Sequence, residues 1–240
     1  MLFNLFWGDF TILIVIPGIL LALWAQLRVK MTFSSFSRVP AKNGMTGADA
    51  ARRILDENGL YDVRIEPIQG QLTDHYDPRD RVLRLSESSF ASSSVAAVGV
   101  AAHEAGHAIQ HARGYVPLTF RMALVPVTNF GSRLASPLFI IGLILSGLST
   151  VGDWFMLAGI IAFSLSVFFQ LVTLPVEFNA SRRALRCLSG SGLLDGEELR
   201  GARRVLSAAA LTYVASLAVG LLSLLRLLVI AASSSSRRRR

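Results

Sequence analysis

The sequence is 240 residues long, 52% hydrophobic and 17% charged, and its mean hydropathy of +0.50 is too high for an ordinary soluble protein of this length. The net charge of +8 does not mark a nucleic-acid binder: Arg237 to Arg240 carry half of it, and the other basic residues stand in loops beside apolar runs, where membrane proteins keep them. The single cysteine, Cys187, excludes an intramolecular disulfide and suits a reducing compartment.

Phe10 to Leu27 is an apolar run long enough for one transmembrane helix, so residues 1–30 are expected to form an N-terminal span. A signal peptide is disfavoured, because no Lys or Arg precedes the run and no small-x-small cleavage site follows it. Arg28, Lys30, Arg38 and Lys42 come directly after it, which places the N-terminus outside and the next segment in the cytoplasm.

Residues 31–116 form the one sizeable polar stretch, and with the mixed segment Pro117 to Arg133 they make an expected domain over 31–133. Thr46 is placed to cap a helix over Gly47 to Asn58, with Ala50, Ile54 and Leu55 as its buried stripe and Gly59 at its stop. Tyr61 to Pro67 alternates as a strand does, Gln71 to Arg79 is turn-rich, and Arg81 to Leu85 alternates again. That second strand serves equally as a plain structural strand or as an edge that binds an extended peptide. Ser92 to Ser94 offer an N-cap for a helix over Val95 to Arg113, which Gly114 ends.

This helix carries the pattern HExxH as His103-Glu104-Ala105-Gly106-His107. Four residues apart on one helical face, His103 and His107 can bind one metal ion, and Glu104 can reach a water on that ion without being a ligand itself. The geometry is that of a metal-activated hydrolase in which zinc acidifies the water and the glutamate takes its proton. Three of the four histidines fall on this segment. The third, His111, stands about 12 Å further along the axis than His103, too far to share the ion.

Leu134 to Thr150 and Trp154 to Leu174 are two further apolar runs, which make residues 134–175 a membrane hairpin turning at Val151 to Asp153. Pro175 is placed to open a new helix, and residues 176–204 are expected to return to the side that holds His103 and His107. A catalytic zinc site wants a third ligand, and Glu177 is the best-placed carboxylate; a helix N-terminal glutamate favoured by the dipole is the alternative. Val205 to Ala232 is the fourth apolar run and contains Arg226; one crossing would put Arg226 and the terminal arginines outside, against the charge rule. Residues 233–240 read as a basic, disordered tail.

The stretches Thr46-Gly47-Ala48 to Gly59-Leu60, Asp74-His75-Tyr76-Asp77-Pro78, Leu83-Arg84-Leu85-Ser86, Ala101 to Gln110, and Leu174-Pro175-Val176-Glu177-Phe178-Asn179-Ala180-Ser181 resemble those of the YugP-type neutral zinc metallopeptidases of bacterial membranes. A looser similarity extends to HtpX and the CAAX prenyl endopeptidases, which also place two spans between HExxH and a glutamate-bearing helix. The resemblance implies one zinc ion held by His103, His107 and Glu177, Glu104 as catalytic base, and endopeptidase activity. In the HtpX-like pattern an aspartate follows the ligand glutamate by four residues, whereas Ser181 stands there in this chain. A hydroxyl can hydrogen-bond a ligand histidine but adds no charge, which leaves His75, Tyr76 or Arg182 to stabilise an oxyanion, with His75 the first candidate and a plain turn histidine its rival.

The expected fold class is thus a mainly α membrane protein, with about four transmembrane helices and a small α+β, zincin-like HExxH domain. The expected function is zinc-dependent endopeptidase in the bacterial inner membrane, its site on the cytoplasmic side. Expected partners are the bilayer and polypeptide substrates, membrane or misfolded proteins among them, and not nucleic acid. Two other readings stand beside it. A scaffold that keeps a structural zinc would have no need of Glu104, and a metal transporter would carry its ligands inside the spans, whose apolar runs hold no His, Asp or Glu.

Overall fold

The computed structural model describes residues 10–146 and 149–238 and is mostly helical with one small mixed sheet. A 3-10 turn over Phe10–Ile14 leads into α1 (Ile16–Phe36); α2 (Gly47–Glu57), β1 (Arg64–Ile68), β2 (His75–Asp77), β3 (Val82–Ser86) and the single turn α3 (Glu87–Phe90) follow. Then come four helices: α4 (Val95–Ala112), α5 (Val116–Leu145), α6 (Thr150–Gly190) and α7 (Gly196–Arg238). The chain divides into two compact units.

One unit comprises Ala25–Thr119 and Leu174–Thr212 and contains the whole sheet. Its polar start folds as its local chemistry dictates. Thr46 and Asp49 form a reciprocal capping box at the head of α2, whose Ala50, Ala51, Ile54 and Leu55 are fully buried. β3 lies in the middle of the sheet, parallel to β1 and antiparallel to β2, and its Val82, Leu83 and Leu85 are fully buried. Arg81 to Leu85 is therefore no free edge for a peptide, since both sides of its backbone are already paired. The strand that sequence periodicity misses is β2, three residues ahead of Pro78 and too short to show an alternation.

Helix α4 starts where Ser94 accepts a hydrogen bond from the Ala97 N–H and stops at Gly114, which takes a left-handed φ of 57°. Between these ends it is built of small residues, and Ala101, Ala102, Ala105 and Ala108 pack into one core with Leu83, Leu85, Ala184, Leu188 and Leu206. Small side chains let helix backbones approach closely. At Gly106 the approach is closest: a Cβ there would stand 2.7 Å from the carbonyl oxygen of Ala180 on α6. This contact holds the HExxH segment against the segment that carries Glu177.

The other unit comprises Met1–Trp24, Phe120–Thr173 and Tyr213–Arg240. Phe139 of α5 and Met156 and Ile160 of α6 are buried together, with Leu224, Leu227 and Ile230 of α7 against them. Ile140, Ile144, Leu157, Ile161, Leu221 and Leu225 are exposed, an apolar outer surface that suits lipid rather than water. Arg226 is accommodated on α7 through a hydrogen bond from its Nε to the Thr11 hydroxyl, 3.1 Å away.

Three helices among the described residues are long and apolar enough to cross a membrane, over Val116–Leu145, Thr150–Gly190 and Gly196–Ser234. Four were expected. The first run becomes α1, which loses its apolar character at Gln26, Arg28 and Lys30, and the start of its expected span, residues 1–9, lies outside the described residues. Pro175 does not open a new helix, because α6 runs continuously through it. Residues 196–204 belong to the same helix as the last apolar run, and that helix continues to Arg238 where a disordered tail was expected.

Overpacking a close backbone contact costs about 1–3 kcal/mol, more than the ~1 kcal/mol a helix gains when Ala replaces Gly. Gly106→Ala is therefore expected to lower the melting temperature in detergent. Gly99→Ala, where the new Cβ would meet the Ala202 Cβ at 3.3 Å and its Cα at 3.6 Å but no backbone oxygen, should lower it less.

Candidate metal centre

Two helices supply the centre. His103 and His107 stand one turn apart on α4, their rings nearly perpendicular (85°) with centroids 4.7 Å apart. Glu177 enters from α6, its side chain 3% exposed, with its Oε2 3.3 Å from His103 Nε2 and 3.5 Å from His107 Nε2. The three ligand atoms all lie within 4.8 Å of one another. Sequence reasoning brought these residues together by type and by counting spans, and the structure places them side by side.

The arrangement fits zinc. Ligands held about 2.1 Å from a tetrahedral zinc lie about 3.4 Å apart, and the two His–Glu distances match that edge. Two imidazole nitrogens and one carboxylate oxygen are also a donor set of catalytic zinc sites, which keep a fourth position for water or substrate. Glu104 stands outside the trio, 8% exposed on the same helix, and its negative charge reaches His107 through space.

The electrostatics of the bare trio show what it is built to hold. Burial alone would strip the proton from His107, but the hydrogen bond to Glu177 and the charge of Glu104 reverse this and raise the imidazole above its ordinary pKa. Burial would likewise push the Glu177 carboxyl up; hydrogen bonds from His103 and then His107 outweigh it and hold the group well below the usual carboxylate range. Glu177 is thus an anion in a buried place, neutralised by the histidines beside it.

Each histidine is also held from behind. Ser181, at the position where the HtpX-like pattern has an aspartate, places its hydroxyl 3.1 Å from His103 Nδ1. His107 Nδ1 lies 3.0 Å from the Oε1 of Gln110, a fully buried residue one turn further along α4. Gln110 in turn donates to the Val176 carbonyl at 2.8 Å and to Asn179 Oδ1 at 3.0 Å, both on α6. Sequence reasoning assigned no role to Gln110 or Asn179. The signal available for Gln110 was its spacing, three residues after His107, which puts it on the same face of the helix; Asn179, two residues after Glu177, offered no such signal.

His75 is not drawn into this cluster. It sits on β2, half-buried, with its Nδ1 2.9 Å from the Thr73 carbonyl in its own turn. Its neighbour Tyr76 reaches α4 at a different point, its hydroxyl 2.9 Å from His111 Nδ1. His111 thereby has a partner away from the trio, in keeping with its distance along the helix.

Comparison with known proteins agrees with the chemistry. The family described as "putative neutral zinc metallopeptidase" matches residues 11–232. The "putative membrane protease YugP" of Bacillus subtilis (strain 168) is 51% identical over 215 residues, which cover 90% of this chain and 93% of that protein. No solved structure matches the chain. With three helices long and apolar enough to cross a membrane among the described residues, this is a membrane protein, and its cofactor is Zn2+. By the family match over nearly its whole length and by its 51% identity with the YugP protein, the chain belongs to the family described as neutral zinc metallopeptidases.

Proposed function

We propose that the chain is a zinc endopeptidase of the inner membrane, with His103, His107 and Glu177 as zinc ligands and Glu104 as general base. The observation that carries the reading is the split of roles on one helix. His103 and His107 converge with Glu177 at distances that fit a tetrahedral ion, while Glu104, between them in sequence, stays outside as a buried carboxylate. A purely structural site would have no use for such a carboxylate, so the scaffold reading leaves Glu104 unexplained.

When bound at such a site, zinc acidifies a water molecule and polarises the carbonyl of a substrate peptide bond. Glu104 accepts the proton that the water loses as its oxygen attacks the carbonyl carbon. The same carboxyl then delivers that proton to the amine nitrogen as the C–N bond breaks, which leaves Glu104 ionised for the next turnover. The basic residues after the first apolar run, Arg28, Lys30, Arg38 and Lys42, support a cytoplasmic position for the site. A site carried between membrane spans suits membrane or unfolded polypeptides as substrates.

Glu104→Gln should bind one zinc per chain and cleave an unfolded polypeptide at least about 100-fold more slowly than the wild type. Metal analysis and cleavage assays on the detergent-purified chain check both halves; cleavage at the wild-type rate would remove Glu104 from the mechanism. Zinc in both proteins with cleavage in neither would favour a scaffold.

Glu177→Ala should lose zinc outright, since two histidines alone make a weak site. The neighbouring carboxylates raise the affinity of His107 for a proton, so zinc competes with that proton. Calorimetry in buffers of different ionisation enthalpy should therefore detect proton release on zinc binding even above pH ~6.5, where an ordinary histidine is mostly neutral. The affinity should fall as the pH drops, because protons compete more strongly for His107.

A further inference from the structure

We propose that Gln110 is a positioning residue of the metal centre: it fixes which nitrogen of His107 faces the metal and ties that histidine to the helix that carries Glu177. The inference deepens the function proposed above and rests on its assignment of His107 as a zinc ligand.

The hydrogen-bond polarity can be followed from groups that have no choice. The Val176 carbonyl can only accept, so the nitrogen of the Gln110 amide must be the atom 2.8 Å from it. Asn179 agrees. Its Oδ1 lies 2.7 Å from the Arg183 Nε, which can only donate, and 3.0 Å from Gln110 Nε2. The Gln110 amide oxygen therefore points the other way, at His107 Nδ1, 3.0 Å away. An amide oxygen can only accept, so His107 Nδ1 must carry a hydrogen. In the neutral ring this leaves the lone pair on Nε2, the nitrogen that faces Glu177 at 3.5 Å.

Ser181 cannot impose the same order on His103, because a hydroxyl is both donor and acceptor. Of the two groups that back the histidines at Nδ1, Ser181 and Gln110, only Gln110 dictates a tautomer. It does so without charge, and full burial leaves its amide no water with which to exchange these bonds. Its two bonds to Val176 and Asn179 flank Glu177 in sequence, so a shift of α6 that misplaced Glu177 would break them as well.

The test compares Gln110→Leu and Gln110→Glu in the full-length, detergent-purified chain. Gln110→Leu removes the acceptor for His107 and the donor to Val176. Gln110→Glu keeps an acceptor for His107, now a charged one, and loses the donor to Val176 and Asn179. Zinc affinity is measured by chelator competition, and the stability of the zinc-free protein by thermal melting. Loss of such a partner typically weakens metal binding about 10–100-fold, and that is the loss expected for Gln110→Leu. Gln110→Glu should recover most of the affinity although its melting temperature falls as that of Gln110→Leu does.

Affinity that follows the melting temperature in both variants, or Gln110→Leu binding zinc as tightly as the wild type, would overturn the proposal. Should Gln110→Leu not fold, the imidazole N–H signals of the zinc-loaded wild type decide, assigned by their loss in His107→Ala. A slowly exchanging Nδ1–H on His107 is expected and its absence would overturn the proposal too. His107→Ala also separates the two readings. If it leaves zinc bound, the ligand assignment has failed; if it loses zinc while Gln110→Leu keeps it, only the role of Gln110 has.

Discussion

A carboxylate buried to 3% side-chain exposure is the constraint around which the site is arranged. An ionised group removed from water is strongly destabilising unless partners replace its hydration. For Glu177 those partners are His103 and His107, at 3.3 and 3.5 Å, and they can stand there only because α4 and α6 approach to backbone contact at Gly106 and Ala180. A side chain at position 106 would separate the helices and leave the carboxylate without its neighbours. The glycine inside the HExxH pattern, free to vary as far as the chemistry of the motif goes, is in this chain set by packing.

The groups behind the ligands are neutral. Ser181 backs His103 and Gln110 backs His107, where a carboxylate is the common alternative. A carboxylate partner draws the Nδ1 proton and makes the imidazole a stronger donor to the metal; a hydroxyl or amide does so less. Zinc held by less basic ligands keeps more of its charge for a bound water and a substrate carbonyl. The departure of Ser181 from the HtpX-like aspartate therefore does not leave His103 without a partner: it exchanges a charged one for a neutral one.

Local order was legible in the sequence. The capping box at Thr46, the caps of α4 at Ser94 and Gly114 and the buried stripe of α2 each depend on residues within four positions of one another, and the structure has them as expected. Positions that depend on partners far along the chain were harder to read. β3 alternates as an edge strand would, yet pairs on both sides, because β2 is too short to carry a pattern of its own. Pro175 is a local stop signal that the long helix α6 overrides through packing, with Val176, Ala180 and Ala184 all fully buried. His103, His107 and Glu177 were legible as a candidate metal site because their chemistry is rare in so apolar a chain. Gln110 was not, since a glutamine at helical spacing means nothing until the carbonyl of Val176 is known to lie opposite it.

The charge balance of the site also limits what it can hold. Glu104 and Glu177 bring two negative charges into a buried place, and the groups that most stabilise Glu177 as an anion are two imidazoles that are neutral when they bind a metal. Without a cation the same two carboxylates raise the affinity of His107 for a proton. A monovalent ion would leave one negative charge unmatched, and a trivalent ion would leave a positive one. A dication with affinity for nitrogen closes the balance while both glutamates stay ionised, the state that the roles proposed for Glu104 and Glu177 require. In the proposed mechanism Glu104 stays off the metal for the same reason: as a ligand it would lose its basicity, whereas at a distance its charge still counts toward the whole and its oxygens stay available for proton transfer.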